Sequence, residues 1–127
     1  MAWVHLVLML ALAEYFVFGL LVAYARGKYQ VKAPAISGDP VFERYFRVQQ
    51  NTLEVLIMFV PALLVAAQYW DPRWVAALGA VYLIGRVLYL RNYVRDPKSR
   101  SLGFSLSMVP TLVLVLGGAI GALDTLL

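Results

Sequence analysis

The segment Phe42-Glu43-Arg44-Tyr45-Phe46-Arg47-Val48-Gln49-Gln50-Asn51-Thr52-Leu53-Glu54 runs without a break into the apolar stretch Val55-Leu56-Ile57-Met58-Phe59-Val60. Lipid would expel its Arg, Asn, Gln and Glu side chains unless they face a bundle interior or a water-filled cavity. A polar run joined in this way to a hydrophobic one marks a functional site set into membrane-spanning helices.

The rest of the chain supplies those helices. Of 127 residues 62% are hydrophobic and 14% charged, and the mean hydropathy is +0.75, which excludes an ordinary soluble domain. Four apolar windows succeed one another: Trp3 to Ala25, Val55 to Trp70 extended backwards by the polar run, Trp74 to Tyr93, and Leu102 to Leu123. Each is long enough to cross a hydrocarbon core of about 30 Å. The first lacks the basic start and small-residue cleavage site of a signal peptide and reads as a full span. The whole of residues 1–127 therefore reads as one all-α, four-helix integral membrane domain, with neighbouring helices antiparallel in an up-down bundle.

Charge sets the orientation. Ten of the 11 Lys and Arg lie around the first-to-second and third-to-fourth connections, and the second-to-third connection has Arg73 alone. The positive-inside rule places the two basic loops in the cytoplasm and both termini outside. Cations meeting anionic headgroups account for the net charge of +4, so nucleic acid is not an expected partner. There is no Cys, which excludes disulfides, thiolate metal sites and a protein thiol nucleophile, and the single His5 has no partners for a metal site. Residues 26 to 41, with Pro34, Gly38, Asp39 and Pro40, read as a loop. Trp70-Asp71-Pro72 reads as a tight turn, and Asp96-Pro97 as the end of the third helix, with Ser99 or Ser101 placed to cap the fourth. Gly117, Gly118 and Gly121 offer surfaces for close helix packing, and Pro61 and Pro110 are expected to kink their helices.

Helical periodicity resolves the polar residues into two stripes. At 100° per residue Arg44, Arg47, Asn51 and Glu54 fall within about 80° of one another on the second helix, and Gln49 points elsewhere. On the third, Arg86, Tyr89 and Tyr93 fall within about 60°. A cavity between the stripes would hold guanidinium groups, an amide, a carboxylate and two phenols. That set suits a zwitterion with more than one carboxylate, because Arg forks match carboxylates and Glu54 can take an ammonium. The bland alternatives are an ion-pair network that fixes packing for the second-helix stripe, and an aromatic belt at the headgroups for the two tyrosines.

The pattern Phe-Glu-Arg-x-x-Arg-x-Gln-x-Asn-x-x-Glu, as it stands from Phe42 to Glu54, resembles the signature of the MAPEG family, the membrane-associated proteins in eicosanoid and glutathione metabolism. Arg26, Arg86, Tyr89, Tyr93 and Arg100 stand at spacings similar to those of its leukotriene C4 synthase and microsomal glutathione transferase branch, so that nearly the whole chain is covered. The resemblance implies a homotrimer that binds glutathione between subunits near the cytoplasmic face; the expected location is a bacterial inner membrane. It implies that Arg47, Asn51, Glu54, Arg86, Tyr89 and Tyr93 bind glutathione in one subunit, that Arg26 and Gln49 approach it from the neighbour, and that Arg100 activates the thiol. The product would be a conjugate with a lipophilic electrophile arriving from the lipid, with peroxidase activity as a companion and glutathione, not a metal, as co-substrate.

Three positions depart from the family pattern. Val55 replaces the aromatic that comes after the conserved Glu in the eicosanoid-making branch, and Gly27 replaces the second of its paired Arg residues. Thr52 stands where prostaglandin E synthases carry Asp. These departures leave a bacterial or generic glutathione transferase. The competing readings are a non-catalytic lipid-binding scaffold of the same family, and a small multidrug exporter using Glu14, a carboxyl in mid-membrane.

Overall fold

The computed structural model describes residues 1–127 and contains four long helices and no strands. They are α1 (Ala2–Tyr29), α2 (Pro40–Tyr69), α3 (Pro72–Arg95) and α4 (Ser101–Leu126), with a single 3-10 turn at Pro97–Ser99. At 1.5 Å per residue even the 24 residues of α3 exceed the roughly 30 Å core of a bilayer. All four contain spans apolar enough to cross it.

Each interhelical connection carries an Asp-Pro pair, and in each the aspartate caps the helical turn beyond it. Asp39 accepts from the backbone N–H groups of Val41 at 2.9 Å and Phe42 at 3.0 Å. Asp71 accepts from Arg73 N at 2.9 Å and Asp96 from Lys98 N at 3.1 Å. The prolines occupy first-turn positions, where a missing N–H costs nothing and a fixed φ helps. Pro40 therefore starts α2 where a loop residue was expected. At the other end of that connection α1 outruns its apolar window by a full turn, to Tyr29, with the Lys28 ammonium over the rings of Tyr24 and Tyr29. It stops at Gln30, whose φ of 57° is left-handed. The exposed Arg73 guanidinium holds the Asp71 carboxyl below the usual carboxylate range.

The bundle is built on the α2 and α3 pair, with α1 packed against both from one side and α4 against both from the other. Its main core joins Val4, Val7 and Ala11 of α1, Leu56, Phe59 and Leu63 of α2, Val75 and Tyr82 of α3, and Leu114 of α4. The Phe59 and Tyr82 rings stack with centroids 3.8 Å apart. Trp70 Nε1 donates to Gly117 O at 2.8 Å and ties α2 to α4 at the end away from the two basic connections. Pro61 and Pro110 lie inside helices that continue past them.

Two further glycines decide the geometry of the basic end. A Cβ at Gly85 would lie 2.7 Å from the carbonyl carbon of Leu106, and one at Gly103 would meet the backbone of Tyr89. The α3 and α4 backbones therefore touch directly, as small residues allow in membrane bundles. This contact sets Arg100 and the first turns of α4 beside Tyr89.

Candidate functional site

A cleft of about 570 Å³ opens at this end, between α2, α3 and the start of α4. Arg47 and Asn51 line it from α2, Tyr89 and Tyr93 from α3, and Arg100, Ser101, Phe104 and Ser105 from α4. Its size falls in the range of about 300 to 1,000 Å³ usual for small-molecule sites. Five of the residues expected at the site (Arg47, Asn51, Tyr89, Tyr93 and Arg100) are thus brought together.

Each wall has an identifiable support. Tyr89 is buried against Phe18 of α1 and Val48 of α2. Its ring stacks on Tyr93 with centroids 5.4 Å apart and lies 6.3 Å from Phe104. Arg47 reaches towards Glu54, two turns along α2, at 3.8 Å, with both side chains about half exposed (52% each). An exposed pair contributes little to stability, so both groups are free to exchange one another for a ligand. The Arg100 side chain is exposed and donates once, to Pro97 O at 3.1 Å, which leaves most of its donors open.

Arg86 occupies a different place from the one its stripe indicated. Its side chain is fully buried (0% exposed), behind Tyr89 and away from the cleft surface. Its Nη1 donates to Asn51 Oδ1 at 2.7 Å and Thr52 Oγ1 at 3.2 Å, its Nε donates to Ser107 Oγ at 2.8 Å, and the guanidinium carbon sits 4.4 Å over the Tyr89 ring. Two walls of the cleft, Asn51 and Tyr89, rest on this one side chain.

Arg44 also departs from its stripe. It donates to the carbonyls of Val94 at 2.9 Å and Arg95 at 3.4 Å and so satisfies the C-terminus of α3. Arg26 donates to Ala35 O at 2.6 Å and lies over the Phe42 ring, where it shapes the first connection. Gln49 packs near Gly19 of α1. Arg26, Gln49 and Glu54 thus stand outside the residues that line this cleft. No group of three or more His, Asp and Glu side chains comes together.

Ser101, Phe104 and Ser105 are site residues that the stripes on α2 and α3 did not include. Ser101 and Ser105 are four residues apart, one turn, at the start of α4, and that spacing was the available signal. Ser99, expected as a cap for α4, instead donates back to Asn92 O at 3.0 Å and Asp96 O at 2.7 Å. The N-terminus of α4 has no side-chain cap at all.

Comparison with known proteins agrees with this architecture. The model of the MAPEG family matches residues 4–120. The chain belongs to the MAPEG family. This MAPEG protein is an integral membrane protein. It is 43% identical over 121 residues to an uncharacterized protein of Synechocystis, covering 95% of this chain and 88% of the relative. It is 42% identical over 110 residues to human microsomal glutathione S-transferase 2, covering 87% of this chain and 75% of that one. Bovine leukotriene C4 synthase is 36% identical over 83 residues, which cover 65% of this chain and 55% of the synthase.

Proposed function

We propose that this MAPEG protein is a membrane-bound glutathione transferase that joins the glutathione thiol to lipophilic electrophiles, with Arg100 as its catalytic residue. The observation that carries the proposal is the meeting of Arg100 and the uncapped N-terminus of α4 at one cleft whose other walls carry Arg47, Asn51, Tyr89 and Tyr93. Family membership and likeness to glutathione transferases support a glutathione-related membrane enzyme.

A thiol of pKa about 8.5 is mostly protonated at neutral pH, and each unit by which that pKa falls stabilises the thiolate by about 1.4 kcal/mol. Both the Arg100 guanidinium and the positive end of the α4 dipole favour the anion. The thiol loses its proton, and the sulfur forms a bond to the electrophilic carbon. The leaving group departs with its bonding electrons or, in a conjugate acceptor, the displaced electron pair takes up a proton. Arg47 binds a glutathione carboxylate in this reading, Glu54 its ammonium, and Asn51, Tyr89 and Tyr93 supply hydrogen bonds and stacking; Arg86 acts through Asn51 and Tyr89. A lipid-binding scaffold would have no use for a cation at the thiol.

The protein assembles as a homotrimer in this proposal. Arg26 and Gln49, which stand away from the cleft of their own chain, approach the ligand of a neighbour. The basic end faces the cytoplasm in this proposal, in a bacterial inner membrane, and likeness to a Synechocystis protein supports a bacterial host. The test is conjugation of glutathione to a lipophilic aryl halide by the purified protein, together with calorimetric titration with glutathione. Saturable binding and turnover support the reading; absence of both overturns it.

A further inference from the structure

Deep between α1 and α3, three buried polar atoms have no hydrogen-bond partner in the chain: Glu14 Oε1, the Tyr82 hydroxyl and Arg86 Nη2. Tyr82 and Arg86 are four residues apart and share one face of α3. In an up-down bundle α1 and α3 run in the same direction, and nearer their N-termini they set the register: Val7 packs where Gly79 leaves room for it, and Leu10 and Leu83 border one groove. Seven residues are about two turns on either helix, so the pairing of 7 with 79 leads to 14 with 86. Glu14 and Arg86 form no direct ion pair.

The remaining Arg86 donors are committed to Ser107, Asn51 and Thr52, so Nη2 has no other outlet. A buried guanidinium N–H and a buried carboxyl oxygen left unpaired are both costly. Water has the valence for all three atoms, because one molecule can accept from Arg86 Nη2 and from the Tyr82 hydroxyl while it donates to Glu14 Oε1. A carbonyl could accept from the guanidinium but not donate to the Glu14 oxygen.

We propose that Glu14, Tyr82 and Arg86 form an internal water-binding site, and that Glu14, through this water, is a positioning residue for Arg86 and thereby for Asn51 on the cleft wall. The water site stands on the three unpartnered atoms alone; the positioning role rests on the glutathione reading above. Glu14 thereby has an occupation other than that of a lone carboxyl open to cargo.

The experiment is a structure of the full-length protein in lipid at a resolution that reveals ordered water, paired with glutathione titration and kinetics of Glu14→Leu, Glu14→Gln and Tyr82→Phe. Density within hydrogen-bonding distance of all three atoms is expected. Glu14→Leu is expected to weaken glutathione binding about tenfold, as loss of a buried polar partner does, with kcat at saturation changed much less. Glu14→Gln, whose amide oxygen still accepts from the water, should recover most of the affinity, and the effects of Glu14→Leu and Asn51→Ala should be non-additive. Dry space between the three atoms, or a side chain of a second copy filling it, overturns the water site. Wild-type affinity in a folded Glu14→Leu variant overturns the positioning role. If the wild-type protein fails to bind glutathione, the proposed function falls, and the density still decides the water site.

Discussion

Arg86 and Asn51 form one unit: the buried guanidinium on α3 donates to the Asn51 amide oxygen on α2 at 2.7 Å and thereby fixes which face of that amide the cleft presents. Because Thr52, Ser107 and the Tyr89 ring rest on the same guanidinium, α2, α3 and α4 are joined at one point beneath the site.

Removing that point should be costly to the whole molecule. Arg86→Ala is expected to destabilise the protein by about 2 to 4 kcal/mol, since it leaves several buried polar groups without a partner. Arg86→Lys should recover little, because an ammonium cannot reproduce the planar fork of donors. Thermal unfolding in detergent checks both.

The contact between the α3 and α4 backbones gives a second test. Gly103→Ala places a methyl group against the Tyr89 backbone and should cost about 1 to 3 kcal/mol through overpacking, with loss of conjugation as Arg100 shifts. Gly117→Ala, whose nearest neighbour is a Trp70 side-chain atom at 3.5 Å, should be tolerated. Equal effects of the two substitutions on melting temperature would contradict this packing.

How far the sequence discloses this arrangement depends on what kind of signal each residue leaves. Four spans and their turns are legible because apolar length and Asp-Pro pairs are local features. The α2 stripe is legible for Arg47 and Asn51, since periodicity fixes a face, but periodicity cannot say how deep a side chain lies on it. Arg44 and Arg86 share their stripes with cleft residues, yet one turns to the end of α3 and the other lies beneath Tyr89, because unsatisfied carbonyls and hydroxyls on neighbouring helices compete for their donors. Gly85 and Gly103 leave no such trace: a glycine in an apolar helix shows its purpose when the partner backbone is in place.

The half-exposed Arg47 and Glu54 pair on the α2 stripe should matter for ligand and not for fold. Arg47→Ala or Glu54→Gln is expected to weaken glutathione binding by about 1.5 to 3 kcal/mol, the range for a lost charge-assisted hydrogen bond. The melting temperature should hardly move, since the pair they form is exposed to solvent. Unchanged calorimetric affinity in either folded variant would return the stripe to a role in packing.

Sites shared between subunits predict complementation. Arg26 shapes its own loop and stands away from the cleft of its own chain, while Arg100 lines that cleft. Mixed oligomers of Arg26→Ala and Arg100→Ala chains should regain activity that neither homo-oligomer has, because some sites take both arginines from intact positions. Purely additive residual activity would show that the site is built within one protomer or that Arg26 is only a headgroup anchor.

The most direct measurement is the turnover number of Arg100→Ala set beside its glutathione affinity. A cation that acts on the reacting sulfur should lower kcat by a large factor, on the order of a hundredfold if it supplies about 2.7 kcal/mol in the transition state, with the dissociation constant changed little. A wild-type turnover number in a folded, glutathione-binding Arg100→Ala protein would remove Arg100 from the mechanism and contradict its role as the thiol-activating cation.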